Sequence, residues 1–334
     1  VWRNLGEDAD GDGMVLELID NEWVFDSGDI NGLDDDNDGY IDNFVGYDVT
    51  FNDNNPIPNN NSIAHGTMVA GCVSATTNNE IGISSVGFSV KLMGINSGDN
   101  SGQYITTGYE GLLAAAQMGA DIINLSWGNS SYVESYQNVI NAVYNQYNPI
   151  IVAAAGNYGV NEPHYPASYN HVLSVTSTSQ NNSFSCWANF HETVDLAAPG
   201  DDIWCTSTQN TSGGYYEPVD GTSFSSPTVA GALALLKSIY PNSDNEFLIS
   251  KILSSANYFE DMNSDCSGED LSGFLGAGQL NIYDAIIDRG PVELFVNNVT
   301  VLTESGLLVP GDTAEVIVNL YNEIGYTPLA NILA

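Results

Sequence analysis

The sequence predicts an α/β fold in which a mostly parallel sheet is covered by helices on both faces. Between residues 86 and 176, strand-like runs alternate with helical runs. The strand-like runs are continuously apolar, which is typical of strands buried on both faces. After residue 290, the pattern changes to an apolar and polar alternation with a period of two. That change predicts that a β-rich module begins there.

The alternating segment supplies the elements of the predicted sheet in order. We expect strands at 90–95, 121–126, 149–155 and 171–175, and helices at 109–118 and 132–147. The carboxyl ends of parallel strands meet at one edge of a sheet, and ligands bind beyond that edge. The end of the second strand carries Ser126, Trp127 and Gly128, and Asn157 follows the third strand. We therefore expect these residues to lie on one functional face.

A further helix is expected after Gly221, in a stretch of small and apolar residues that continues to Leu236. Proline is tolerated only near the start of a helix, so Pro227 places that start at about Ser223 or Phe224. Ser223 would then lie at the positive end of the helix dipole, where an oxyanion is favoured. The stretch predicts either a nucleophilic serine or an N-cap serine on a core helix.

The remaining patterns divide the chain into three regions. Ser243 and Glu246 have the spacing of a capping box that opens a helix at 247–256. Strand patterns at 292–296 and 314–320 suggest the first strands of a β-sandwich. We therefore expect an acidic lead-in at 1–62, an α/β domain at 63–290, and a partial β-sandwich-like module at 291–334.

The charge balance restricts the partners of the chain. Its 334 residues include 42 Asp and Glu but 5 Lys and Arg, which gives a formal net charge of −37. Such a surface repels nucleic acids and anionic membranes, and the sequence has no apolar run long enough to span a bilayer. Because cations screen self-repulsion, the composition fits a salty or calcium-containing exterior. We expect a monomer that is secreted or lies at the cell surface.

The chain has four cysteines, which allow three pairings: Cys72, Cys186, Cys205 and Cys266. A disulfide between Cys186 and Cys205 is considered first, because both residues lie in strand-like stretches that are close in sequence. Buried free thiols are the alternative in a chain with so few cysteines.

Two acidic segments of the lead-in resemble the first half of a calcium-binding loop. Each places carboxylates at alternate positions before a glycine that permits a sharp turn, and hard oxygen ligands suit Ca²⁺. Neither has the closing glutamate of an EF-hand, so a solvated acidic loop is the alternative. The predicted structural Ca²⁺ ligands are Asp8, Asp10 and Asp12 in the first segment, and Asp34, Asp36 and Asp38 in the second.

A histidine precedes another run of small and apolar residues, His-Gly-Thr-Met-Val-Ala-Gly at 65–71. The run predicts a closely packed buried helix with the imidazole of His65 at its mouth. Histidine changes charge near neutral pH, which suits it to proton transfer. A structural histidine is the alternative.

Together, the motifs resemble those of the subtilisin-like serine proteases, the subtilases, from about residue 46 to 288. His-Gly-Thr-x-Val-Ala-Gly at 65–71 resembles the catalytic histidine segment, and Gly-Thr-Ser-x-x-x-Pro at 221–227 resembles the nucleophile segment. Ala-Ala-Gly-Asn at 154–157 is similar to the segment of the oxyanion-hole asparagine. Asn-Leu-Ser-Trp-Gly at 124–128 is similar to the strand that pairs with substrate. The order His, Asn, Ser is that of a subtilase.

The resemblance implies a secreted bacterial serine endopeptidase that acts on polypeptides. Ser223 would attack the scissile carbonyl, His65 would act as general base and then acid, and Asn157 would stabilise the oxyanion. Residues 126–128 would bind the substrate backbone as an additional strand. The alternative is a catalytically impaired binding or adhesive module with calcium loops.

The aspartate of the implied triad is harder to place. Subtilases carry it at the end of an apolar strand, before Thr/Ser-Gly, and Asp26 in Trp-Val-Phe-Asp-Ser-Gly at 23–28 is the candidate within the chain. However, residues 1–22 lack the preceding strands, and the acidic stretch around Asp26 resembles an insert that follows the aspartate in longer relatives. We therefore expect the aspartate upstream of Val1, with the chain an internal piece of a longer precursor.

Overall fold

A computed structural model describes residues 1–20, 22–57, 65–99, 101, 104–208, 214–259, 262 and 270–287. It also describes the backbone of 294–302, 315–322 and 332–333. The chain divides into two compact units, Val1–Ile286 and Ile287–Ala334.

The first unit contains both strands and helices. Its strands are β1 (Leu16–Ile19), β2 (Glu22–Phe25), β3 (Gly46–Asp48), β4 (Gly94–Asn96), β5 (Ile122–Leu125), β6 (Ile150–Ala154), β7 (Val172–Thr178), β8 (Leu196–Pro199), β9 (Ile203–Thr206) and β10 (Tyr216–Val219). Its helices are α1 (His65–Ser74), α2 (Gly108–Gln117), α3 (Glu134–Tyr147), α4 (Thr222–Ile239), α5 (Asn245–Ser254) and α6 (Ile282–Ile286).

A four-stranded parallel sheet, in the order β5-β6-β7-β8, forms the centre of the first unit and confirms the α/β fold class. The expected strand at 90–95 is much shorter, since only Gly94–Asn96 is a strand, and it pairs with β3 in a separate two-stranded sheet. Its expected first half follows another course, because the carbonyl of Leu92 accepts a hydrogen bond from the N–H of Trp2 at 2.7 Å.

Alternate residues of the central strands face two different helical layers. Val152 of β6 lies in an apolar cluster with Leu233 of α4. Its neighbour Ile151 lies in another cluster, with Leu112 of α2 and Ile140 of α3. A strand covered on both faces must be apolar at successive positions, which explains the continuous apolar runs in the sequence.

Helix α4 begins at Thr222, just before the expected start, and contains Pro227 as an interior residue. Proline has no N–H, so Pro227 cannot donate a hydrogen bond to the carbonyl of Ser223, four residues earlier. The hydroxyl of Ser126 donates to that carbonyl instead, at 2.8 Å. A side chain from the end of β5 thus replaces the missing helical hydrogen bond.

Helix α5 begins with a different cap from the one that the sequence predicts. The expected cap, Ser243, is wrong: the N-cap is Asp244, whose carboxylate accepts the N–H of Phe247 at 2.8 Å. Both residues are good caps, but Asp244 has the extended backbone that a cap requires and lies three residues before the free N–H.

The expected pairing of Cys186 with Cys205 is also wrong. Cys186 is disulfide-bonded, whereas Cys205 is a buried free thiol. The side chain of Cys205 packs against α1, where its Sγ lies 3.3 Å from that of Cys72. Cys266 lies outside the described residues.

Among the described residues of the second unit, three antiparallel strands lie in the order β11 (Leu294–Leu302), β12 (Glu315–Asn322) and β13 (Ile332–Leu333). This β-rich segment begins close to the expected change of pattern at residue 291. A complete β-sandwich stays a prediction.

A substitution at Leu233 tests how much the packing of α4 on the sheet stabilises the fold, because the Leu233 side chain is fully buried there. We predict that Leu233→Ala lowers the free energy of unfolding by about 3 kcal/mol, since it removes apolar contacts and leaves a cavity. Chemical denaturation followed by tryptophan fluorescence measures the change. Leu113→Ala, at an exposed position of α2, is the matched control, and an equal loss in both variants would contradict the packing described here.

Candidate active site

The ends of β5 and β6 meet the first turn of α4 at one edge of the central sheet. Ser126 follows β5, Asn157 follows β6, and Ser223 lies in the first turn of α4. Hydrogen bonds join Ser126 to Ser223, and Asn157 to Thr222. The fold therefore brings together three residues that lie far apart in the sequence.

Ser223 combines a weakly held hydroxyl with a backbone N–H that has no acceptor within the helix. Its Oγ lies 3.4 Å from the carbonyl oxygen of Ser126, near the limit for a hydrogen bond. Its N–H belongs to the first turn of α4, where the helix itself supplies no acceptor. The residue is half-buried, so part of it stays open to solvent.

Gly221 sets the direction from which the chain enters α4. Its φ of +154° lies in the region that favours glycine. Its N–H donates to the carbonyl of Gly200 at 2.8 Å, just beyond the end of β8. The first turn of α4 is therefore attached to the ends of three strands, β5, β6 and β8.

The amide oxygen of Asn157 fixes the orientation of its side chain. Its Oδ1 accepts hydrogen bonds from the N–H of Thr222 at 2.9 Å and from the Thr222 hydroxyl at 2.8 Å. Because a backbone N–H can only donate, the oxygen of the amide must face Thr222. The exposed Asn157 side chain thus keeps its Nδ2 hydrogens available beside Ser223.

His65 is the first residue of α1, and its ring packs beside the first turn of α4. The ring centroids of His65 and Phe224 are 5.9 Å apart, and Phe224 directly follows Ser223 in sequence. The atoms packed around the His65 ring lower its pKa below the ordinary value, because partial desolvation disfavours the imidazolium, while the residue keeps an exposed side toward solvent. The imidazole is therefore neutral at pH 7 and can accept a proton.

Asp26 lies in the acidic lead-in and is engaged there. Its buried carboxylate accepts the N–H of Gly28 at 2.7 Å, and its charge contributes to the raised pKa of Asp29. Across the described ranges, no carboxylate forms a hydrogen bond or ion pair with the ring of His65.

Ser126, Trp127 and Gly128 continue β5, which lies at the edge of the four-stranded sheet. The Trp127 ring packs edge-on against Tyr109, with ring centroids 5.2 Å apart, while Gly128 is exposed. An edge strand presents unpaired backbone groups that another extended chain can pair with.

The first acidic loop folds around Asp8. Its carboxylate accepts the N–H groups of Gly11 and Gly13, each at 2.9 Å. Asp8, Asp10 and Asp29 each place a carboxylate oxygen within 4.8 Å of the others. Such a group of oxygens is suited to a hard cation such as Ca²⁺.

Asp29 is the least satisfied member of this cluster. It is fully buried, and its Oδ1 accepts the N–H of Ala9 at 2.8 Å. Its Oδ2 is buried without a hydrogen-bond partner in the described part of the chain. Burial, with the nearby charges of Asp26 and Asp10, raises the pKa of Asp29. An oxygen left without a partner in an acidic cluster fits a cation ligand.

The second acidic loop repeats the arrangement around Asp34. Its carboxylate accepts the N–H groups of Asp38 at 3.1 Å and Gly39 at 3.0 Å. Asp34 and Asp36 form a second cluster with Glu7, again with ligand oxygens within 4.8 Å of one another.

Glu7 joins this cluster from a distant part of the chain. It is fully buried and accepts the N–H groups of Asp35 at 3.1 Å and Asp42 at 3.0 Å. Burial raises the pKa of Glu7 to about 7, and the charge of Asp36 contributes. In the described residues, the single ion pair joins Lys237 and Asp121 at 3.9 Å, so no basic side chain neutralises either cluster.

Glu7 and Asp29 are the candidate ligands that the sequence did not identify. Neither residue belongs to the alternating Asp pattern of a loop, and each contacts a loop from another part of the chain. The spacing of acidic residues therefore could not predict either ligand. Of the expected ligands, Asp12 and Asp38 lie outside the clusters, and their carboxylates accept nearby backbone N–H groups instead.

Comparisons with known proteins agree with the motifs. The sequence pattern of the Subtilase family matches residues 11–278. The chain is 37% identical to thermitase of Thermoactinomyces vulgaris over 194 residues, covering 58% of this chain and 67% of thermitase. It is 31% identical over 237 residues to a halolysin-like extracellular serine protease, Nep, of Natrialba magadii, covering 71% of this chain. It spans 42% of the length of Nep, and thus less than half of that relative.

A solved structure extends the likeness to the fold. A protease from Pseudoalteromonas arctica aligns with a TM-score of 0.55 and 28% identity. The alignment covers 66% of this chain and 70% of that protein.

Histidine titration tests the environment of the site. Burial lowers the pKa of both His65 and His164, so we predict that both titrate below about pH 6.5, the ordinary value. NMR of ¹³C-labelled histidines measures the transitions, and His65→Gln and His164→Gln assign them. A His65 transition above pH 6.5 would contradict the desolvation of its ring by the packed first turn of α4.

The same shifts have a consequence for stability. The unfolded chain takes up protons at about pH 6.5, while these two rings in the folded chain remain neutral. Their contribution to stability is therefore complete above about pH 6.5 and is lost as pH falls further, until the folded rings are also protonated.

Proposed function

The chain belongs to the Subtilase family, and on that basis we propose that it is a serine endopeptidase that hydrolyses polypeptides. The observation that carries the proposal is the hydrogen bonding of Asn157 to Thr222 beside Ser223. This hydrogen bonding supports a site in which the Asn157 amide and the Ser223 backbone N–H both donate to one oxyanion at the N-terminus of α4.

In the proposed reaction, the Oγ of Ser223 attacks the carbonyl carbon of the scissile bond. The hydroxyl proton passes to the neutral imidazole of His65, which then donates it to the departing amine. Water attacks the resulting ester in the same way and releases the acid. The lowered pKa of His65 supports this role, because the ring accepts a proton only when it is neutral.

The oxyanion of the tetrahedral intermediate is assigned to two donors. They are the N–H of Ser223 and the Nδ2 group of Asn157. Thr222 acts as a positioning residue, since its N–H and hydroxyl hold the amide of Asn157. Loss of one such donor costs about 10²–10³ in kcat, a magnitude known from subtilisin, a member of the same family.

The substrate is proposed to bind as an extended chain along Ser126, Trp127 and Gly128. Backbone hydrogen bonds to this edge would add a strand to the sheet and bring a carbonyl group toward Ser223. The packing of Trp127 on Tyr109 supports a rigid wall for that groove.

We assign a structural role to Ca²⁺ at the two acidic clusters. Asp8, Asp10 and Asp29 would hold one ion, and Glu7, Asp34 and Asp36 would hold another. The partnerless Oδ2 of Asp29 supports this assignment. A bound cation supplies positive charge that the 5 basic residues of the chain cannot provide.

The protein is proposed to act outside the cell as a monomer on polypeptides and not on nucleic acids. Its net charge of −37 supports this setting, because salt and divalent cations screen acidic surfaces. Within the described residues, no helix is both long and apolar enough to cross a bilayer.

The nucleophile is tested by substitution in the full-length protein. We predict that Ser223→Ala abolishes peptide hydrolysis, with kcat reduced by at least about 10⁴-fold, and abolishes labelling by a fluorophosphonate. Ser225→Ala is the matched control, because it removes a buried hydroxyl of the same turn that has no hydrogen-bond partner among the described residues. Absence of labelling in both the parent protein and Ser225→Ala would favour the catalytically impaired binding module instead.

Chelation tests the calcium assignment. We predict that EDTA lowers the Tm by about 5–10 °C, since removal of a bound ligand removes its stabilisation. Calorimetric titration of the metal-free protein with CaCl₂ should show one bound ion fewer in Asp29→Asn and in Glu7→Gln. Asp20→Asn, an exposed acid outside the clusters, should bind as the parent does. An unchanged melting curve in EDTA would remove the assignment.

A further inference from the structure

Two buried thiols face each other behind the helix that begins with His65. Cys72 lies in α1 and Cys205 lies in β9, and their Sγ atoms are 3.3 Å apart across a sequence separation of 133 residues. Both are free and buried. The proposed reaction does not use them.

The backbones that carry these thiols are held together independently of them. The hydroxyl of Thr206 donates to the carbonyl of Thr67 at 2.7 Å. Gly71 leaves space for the same threonine, since a Cβ at position 71 would collide with the Thr206 Oγ1. A disulfide has an S–S distance of about 2 Å, so bond formation requires the sulfurs to approach by little more than about 1 Å.

The two thiols differ in their chemical character. The hydrogen bond between the two thiols lowers the pKa of Cys205 and raises that of Cys72. The thiolate is the reactive form of cysteine, and the direction of these shifts favours Cys205 as the sulfur that reacts first, with Cys72 as its partner.

We propose that Cys72 and Cys205 form an oxidisable pair that a small peroxide converts into a disulfide between α1 and β9. The thiol of Cys205 loses its proton, and the thiolate attacks one oxygen of hydrogen peroxide; the O–O bond breaks, and the departing hydroxide takes up that proton as water, which leaves a sulfenic acid on Cys205. The sulfur of Cys72 then attacks the Cys205 sulfur, and the sulfenic hydroxyl leaves as water with the Cys72 proton. Two thiols and one peroxide thus become one disulfide and two waters, with two electrons passing from sulfur to oxygen.

The position of the pair connects this cross-link to the candidate active site. Cys72 and Cys205 share an apolar cluster with Phe224, and the ring of Phe224 contacts that of His65. A disulfide here joins the helix of His65 to β9. Because it closes a long loop, it restricts the unfolded chain and raises the Tm.

Peptide mapping identifies the bond directly. The few basic residues give long tryptic peptides: Cys72 lies in 4–91, Cys186 and Cys205 lie in 92–237, and Cys266 lies in 252–289. The protein is treated with a few equivalents of hydrogen peroxide, unfolded with a thiol-alkylating reagent, and digested without reduction. The Ser223→Ala variant is used, so that the result is independent of proteolytic activity and of the proposed function.

The expected result is a covalent link between peptides 4–91 and 92–237 after peroxide treatment, and alkylated Cys72 and Cys205 before it. The Tm should rise by about 5–15 °C on oxidation. Cys72→Ala should lose both the link and the rise, and it retains Met68 of the same cluster, so it controls for methionine oxidation. Alkylatable Cys72 and Cys205 after peroxide, a sulfinic acid at Cys205 without a link, or an equal rise in Cys72→Ala would overturn the proposal.

Discussion

The hydrogen bond from the Ser126 hydroxyl to the Ser223 carbonyl is the contact on which the candidate site depends. Pro227 removes the N–H that would otherwise satisfy this carbonyl, so the end of β5 must supply the donor. Ser126 is itself oriented by Asn124, whose amide donates to its hydroxyl at 2.9 Å, and Asn124 accepts a hydrogen bond from Ser226 at 2.6 Å. This closed set of hydrogen bonds fixes α4 against the strand that would bind substrate.

The acidic lead-in depends on a different constraint, the register of the β1–β2 hairpin. Leu16 pairs with Phe25, and the N–H of Asp26 donates to the carbonyl of Val15 at 3.1 Å. The chain after β2 therefore returns to the start of β1, where Asp29 meets Asp10. In a chain with 42 acidic and 5 basic residues, carboxylates brought together in this way are satisfied by backbone N–H groups and suited to cations.

The oxidisable pair and the proposed catalytic residues share one structural feature, the contact between α1 and its neighbours. His65 begins the helix, and Cys72 lies two turns later on the same element. Phe224 connects them, because it contacts both the imidazole and the thiol cluster. A change in how α1 is held against β9 would therefore act close to the proposed general base.

The order of residues determined the α/β class and the positions of β5 to β7, and the resemblance of three short motifs to those of subtilases pointed to His65, Asn157 and Ser223. These features are expressed in local periodicity and in short motifs, which need no knowledge of distant contacts. Only the folded chain decided that Glu7 and Asp29 complete the two acidic clusters, that Cys205 faces Cys72, and that Asp244 caps α5. Each of these features is a contact that forms only when the chain is folded, and the spacing of residues in the sequence does not specify which groups come into contact.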